Sequence, residues 1–122
     1  MLFIFTFFTV SAHSFVYDAR HIGVAAPATF EAELLVTKQR MKFTPSGVYL
    51  PQPTSGCEYA KSLRVQALIN KMLSECKKVE IMNVEGDGAV RDASIYIDDM
   101  PVGKFLVSRK LASYAPVKTW CN

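Results

Sequence analysis

From Glu58 to Glu75 the apolar spacing switches from two to three and four, and this switch limits the chain to a mixed fold. Ala60, Leu63, Ala67 with Leu68, and Met72 recur on one stripe, with Lys61, Arg64 and Lys71 between them. That is the pattern of an amphipathic helix. On either side of it the residues read as strands. Phe15-Val16-Tyr17 and His21-Ile22-Gly23-Val24 come first, and Ala25-Ala26-Pro27 breaks the pairing. Phe30, Ala32, Leu34 and Val36 then alternate with Glu31, Glu33 and Leu35, as in a half-buried strand. Met41-Lys42-Phe43 starts a third strand, which Pro45-Ser46 should perturb as a bulge or an edge. Val79 to Val84 and Ser94 to Ile97 follow the helix as strands, parted by the turn Glu85-Gly86-Asp87-Gly88. Pro101 suits the start of a second helix through about Leu111, with Val102, Phe105, Leu106 and Leu111 as its apolar set.

Three strands, a helix, two strands and a helix give an α+β class. The order matches a five-stranded OB-type barrel carrying two or three helices, and closure would remove the edge-strand hazard of so small a β domain. With 122 residues, half of them hydrophobic, the chain supports a single core. The expected organisation is a leader over residues 1–14 and one domain over 15–122. Leu2, Phe3, Ile4, Phe5, Phe7, Phe8 and Val10 form an apolar run too short to anchor in a bilayer. Ala12-His13-Ser14 offers the small residues that a signal peptidase reads. No Lys or Arg precedes the run, so the alternatives are a true start upstream of Met1 and a buried first strand. The reading favours export to the periplasm or the outside, with no stable membrane anchor.

Charge and side-chain chemistry narrow the function. The net charge of +3 is compatible with a polyanion partner without demanding one. No Cys/His spacing suggests zinc, and Ser62, Ser74 and Ser108 have no base at a useful spacing for a serine hydrolase. Asp98-Asp99 reads as turn and cap residues rather than a metal pair. Lys61, Lys71, Lys77 and Lys78 read as a solvated face. Tyr17, Tyr49, Tyr96 and Tyr114 include the ring types that stack on single-stranded bases, although tyrosines are also ordinary barrel residues.

Gly47-Val48-Tyr49-Leu50-Pro51-Gln52, five residues before Cys57, resembles the G-[IV]-D-[TA]-P-E segment of the staphylococcal-nuclease-like (thermonuclease) family. Val16-Tyr17-Asp18-Ala19-Arg20-His21 is similar to the family's V-x-D-G-D-T segment. The blocks from Cys57-Glu58-Tyr59-Ala60-Lys61 through Val102-Gly103-Lys104-Phe105 to Trp120-Cys121 fall in the order of its exported bacterial members. The resemblance covers about two thirds of the chain. It implies an OB-type nuclease in which two aspartates hold calcium, a glutamate acts near the attacking water and two arginines steady the phosphate. Calcium needs hard oxygen ligands, and phosphodiester attack needs an activated water.

At the matching positions this chain has Arg20 and Tyr49 for the aspartates, Gln52 for the glutamate and Thr44 for the first arginine. Arg91 remains near the place of the second arginine, with Val90 an equally good match. A second register, Arg20-His21-Ile22-Gly23-Val24-Ala25-Ala26-Pro27-Ala28, keeps the arginine but again loses both acids. The resemblance therefore implies a degenerate site: no catalytic set, no calcium site and no other cofactor. The leading expectation is a binding or structural module with an unidentified protein partner. The alternatives are a weak calcium-dependent or metal-independent nuclease, the latter using Arg91, Arg20 and His21, and single-stranded nucleic-acid binding without cleavage. Cys57 follows the turn at the short spacing seen in the family's secreted members, and in an exported chain Cys57 and Cys121 can be oxidised to a bridge that closes most of the mature chain. The odd cysteine count leaves the pairing open, with Cys76 read as a buried thiol at the helix end.

Overall fold

A computed structural model describes residues 14–18, 22–33 and 38–121. The chain is α+β: β1 (Ser14–Asp18), β2 (Ile22–Ala25), β3 (Thr29–Glu33), β4 (Arg40–Pro45), α1 (Gly56–Glu75), β5 (Lys78–Glu85), β6 (Val90–Ile97), the short β7 (Met100–Pro101) and α2 (Val102–Ser108). Six strands form one mixed sheet in the order β1-β5-β6-β4-β3-β2, and β7 pairs with the end of β6. All ladders are antiparallel except β4–β6, where Phe43 pairs with Arg91 and Pro45 with Ala93. The strand count exceeds the five expected. The expected barrel is not closed, because no ladder joins β1 to β2 among the described residues. These two strands are nonetheless neighbours in sequence. Four virtual bonds from Asp18 to Ile22 reach at most about 15 Å, whereas the edges of a flat six-stranded sheet lie about 24 Å apart. The sheet is therefore strongly curled.

Alternation puts Phe30, Ala32, Phe43, Val79, Ile81, Ala93, Ile95 and Ile97 on the core face. In β5 the phase would fail after Ile81, but a bulge between Met82 and Glu85, with Asn83 at φ 54, returns Val84 to the core side. Pro45 perturbs no strand interior. It ends β4, an interior strand rather than an edge, and lies buried against the core.

Helix α1 forms as expected, but a different stripe of it is buried. Ser62, Val65, Ile69 and Leu73 face the core, Leu68 and Met72 are half-buried, and Ala60, Leu63 and Ala67 are exposed. Three bulky side chains, each contributing about 1.5–3 kcal/mol when fully buried, outweigh the alanine-rich stripe. Ser62 is tolerated inside because its hydroxyl donates to the Tyr59 carbonyl at 2.7 Å. The Gln66 side-chain amide fixes the rotation by donating to the Val24 carbonyl of β2 at 3.1 Å.

α2 ends at Ser108, before the expected Leu111. Lys110 takes φ 61, and the Lys110 and Leu111 amides return to the carbonyls of Val107 (3.0 Å) and Leu106 (2.9 Å). This is a Schellman closure, and it seats Leu111 against Leu106 in the core without helix. Asp98-Asp99 is a turn, as expected. Both residues have positive φ, as a two-residue type I′ connection requires, and the Asp98 carboxylate accepts from the Lys77 and Lys78 amides at 3.0–3.2 Å.

After α2 the chain runs as a largely exposed strap. It is fixed to the turn after β4 by the reciprocal Tyr49–Ser113 hydrogen bonds (2.7 and 3.0 Å), and to α1 by the Cys57–Cys121 disulfide, Cα–Cα 5.2 Å. Lys61 sits over the Trp120 ring at 5.7 Å. Cys76 follows α1, half-buried, and its thiol contacts the Leu73 carbonyl at 3.5 Å. Among the described residues no helix is long and apolar enough to cross a membrane. Residues 1–13 of the expected leader lie outside the described residues.

Candidate functional site

The turn that carries Tyr49 and Gln52 begins where β4 runs out at Pro45. Gly47 at φ 78 supplies the left-handed residue that a side chain would strain, and the Ser46 amide donates to the Ala93 carbonyl at 2.9 Å. Gly103 of α2 lies so close that a Cβ there would meet Val48 at 3.4 Å. The turn is thus held on one side by β6 and on the other by α2.

Within it, each expected position is occupied by a contact internal to the fold. Tyr49 spends its amide and carbonyl on Ser113, and its ring is half exposed. The Gln52 side-chain amide donates to the Leu50 carbonyl at 3.1 Å, and the Gln52 backbone N–H donates to Glu58 Oε2 at 2.7 Å. Glu58 is a residue that the sequence reading left unused. Ser55-x-x-Glu58 has capping-box spacing and could have flagged it. The box is displaced: Ser55 makes no side-chain cap, and the carboxylate reaches past it to Gln52. A carboxylate beside Gln52 that already accepts an N–H is tied into the loop.

Thr44 and Arg91 lie on adjacent strands and opposite faces. Thr44 alternates with the buried Phe43 and Pro45 and so faces outward, beside Asp92 in the parallel register. Arg91 shares the side of Phe43 and Ala93 and is half-buried near the start of β6. It lines a cleft of about 150 Å³ with Gln39, Arg40, Lys42, Gly88 and others, and none of Thr44, Tyr49 or Gln52 reaches that cleft. Among the described residues, Thr44, Tyr49, Gln52 and Arg91 are therefore not brought into one pocket. Arg20 and His21 lie outside the described residues. In the second register, Gly23 and Val24 sit within β2, paired with Glu31 and Phe30, and form no turn.

The Arg91 cleft is basic, with three cations and no carboxylate in its lining. Arg40 is committed outward, at 3.2 Å from Glu31 and 3.6 Å from Glu33, and its guanidinium holds the Glu31 carboxyl below the usual carboxylate range. Lys42 lies opposite Glu31 in the β3–β4 ladder, a weaker influence in the same direction. Among the described residues no group of three or more His, Cys, Asp or Glu is placed to hold a metal ion. No family model matches the chain, and no curated protein matches it.

Proposed function

We propose that this chain is an exported, non-catalytic relative of the thermonuclease-like OB domains, acting as a binding or structural module for a protein partner. The observation that carries the reading is the turn at Gly47–Gln52. Its main chain is fixed from both sides, through the amide and carbonyl of Tyr49 among others, while the Gln52 side chain and the nearby Glu58 carboxylate are engaged in hydrogen bonds within the loop. A neutral amide at Gln52 takes no proton near neutral pH, and a phenol at Tyr49 is a poor ligand for calcium.

The OB-type assignment draws support from the strand order. A meander β2–β3–β4 runs into a parallel β4–β6 pair, then β5, then β1, whose sequence neighbour β2 starts the meander again. An OB-type barrel brings the two ends of its sheet together, and here β1 and β2, consecutive in sequence, stand at those two ends. Export fits the disulfide, since such bonds persist in oxidising compartments.

The test is cleavage of denatured DNA with calcium, beside a Tyr49→Asp, Gln52→Glu, Arg20→Asp variant. Wild-type turnover that a chelator abolishes would refute the proposal.

One observation favours a second reading, single-strand nucleic-acid binding without cleavage. Arg91 and Lys42 line one cleft with no acid in its lining, beside Arg40, which is paired with Glu31 and Glu33. That reading predicts affinity falling steeply with salt as phosphate contacts release counterions. A salt-independent or undetectable interaction in a filter-binding titration would exclude it.

A further inference from the structure

Four separate stretches of chain meet at one place: the turn after β4, the second half of β6, the start of α2 with Pro101 before it, and Tyr114 of the strap. They enclose a cleft of about 220 Å³. Its polar side chains are Ser46, Ser94, Tyr96, Lys104 and Tyr114, and its lining contains no carboxylate. Among the described residues, Ser94 accepts one long contact from the Asn83 amide at 3.5 Å. The side chains of Ser46, Tyr96, Lys104 and Tyr114 make no hydrogen bond or ion pair with other described residues. The apolar side of the lining comes from Pro45, Val48 and Pro101, while the Ala93 and Ile95 side chains are buried on the core face.

These walls are held in place from several directions. Ser46 is tied to Ala93, Gly103 packs on Val48, and the Tyr49–Ser113 pair positions Tyr114 from the residue before it. A preformed apolar cleft with a few convergent polar groups is the usual form of a small-molecule site. Here the convergent groups are hydroxyls and one ammonium, so they suit a ligand that accepts hydrogen bonds and carries one negative charge.

Size narrows the ligand further. A cavity of about 150 Å³ holds benzene, and drug-sized ligands need about 300 Å³ or more. We propose that this cleft binds a small aromatic monocarboxylate, its ring against Tyr96 and Tyr114 and its carboxylate on Lys104 and the serine hydroxyls. The carboxylate belongs either to a free acid or to the C-terminus of a peptide ending in an aromatic residue. The site is independent of the reading of the Gly47–Gln52 turn as a degenerate nuclease segment.

The test is an amide-shift titration of the oxidised protein with sodium benzoate, benzamide and the dipeptide Gly-Phe. Benzoate should move the Gly47, Ser94, Tyr96 and Gly103 amides saturably, with a Kd on the order of 1 mM for so few atoms. Benzamide should bind about ten-fold more weakly or worse. Lys104→Met keeps the aliphatic stem and removes the charge, so it should cost benzoate a similar factor. Lys118→Met, on the strap outside the cleft, should change nothing. Gly-Phe tighter than benzoate assigns the site to a peptide terminus, and the reverse order assigns it to a free acid. The proposal is overturned if no saturable shift appears by about 20 mM, if the shifts map elsewhere, or if benzamide and Lys104→Met match benzoate on the native protein.

Discussion

Replacing Cys57 and Cys121 together by serine removes the one covalent tie between the strap and α1. The bridge spans 64 residues of sequence, and the chain-entropy relation for a loop of that length gives about 14–15 cal/mol/K, or about 4 kcal/mol at 25 °C. Domains of this size hold about 5–15 kcal/mol in all, so the loss is a large share. With a urea m-value of about 1.5 kcal/mol/M, the midpoint should fall by about 2–3 M, and the slope should rise as the unfolded chain loses its constraint. The magnitude assumes that the strap stays docked when the bridge is gone. Its other ties are the Tyr49–Ser113 pair, a half-buried Val117 and Lys61 over Trp120. If those fail, the native state gains the entropy of a free tail and the measured loss shrinks. Equilibrium urea unfolding gives the number, with the oxidised wild type kept free of reductant and the variant in reductant, which keeps Cys76 from pairing. Hydrogen exchange at the Tyr49 and Ser113 amides reports whether the strap remains. A loss below about 1 kcal/mol with those amides still protected would refute the reasoning, because a docked strap and a constrained unfolded chain require the larger figure.

Three further outcomes follow from the fold. Ile69→Ala should cost about 2–5 kcal/mol and Leu63→Ala less than about 0.5, and thermal melts of the pair test which face of α1 is buried. Lys110→Gly should stabilise by about 0.5–1 kcal/mol, since the left-handed Schellman position costs a lysine more than a glycine, and urea midpoints measure it. The Lys78 and Lys77 amides hold the Asp98 carboxyl below its usual pKa. Its stabilisation is therefore present above about pH 4 and lost as pH falls through the lowered value. Asp98→Asn should flatten that acid limb in a series of unfolding curves from pH 6 to about pH 2, leaving the turn geometry intact.

Much of the fold was legible because period and punctuation agreed. The change of spacing at α1, the alternation in β3 and β6, Pro101 before α2 and the Asp98-Asp99 turn all followed from local chemistry. The rotation of α1 did not. Two apolar stripes compete on that helix, and tertiary contacts, with Gln66 reaching β2, select the one carrying Val65 and Ile69. The parallel β4–β6 register was equally hidden, since alternation states which face a residue takes and not which strand lies beside it. That register puts Thr44 and Arg91 on opposite faces, and Arg91 in a cleft that Tyr49 and Gln52 do not line. At the turn, the glycine and proline frame was readable, whereas the engagement of Glu58 with Gln52 depended on a capping box shifted three residues upstream.

The central claim is that the Gly47–Gln52 turn serves shape and not hydrolysis. The most direct measurement is calcium-dependent release of acid-soluble nucleotides from denatured DNA by the purified, oxidised wild-type protein, with a chelated control. The account predicts no release above the protein-free blank, with or without calcium. Steady release that requires calcium and stops on chelation would contradict it.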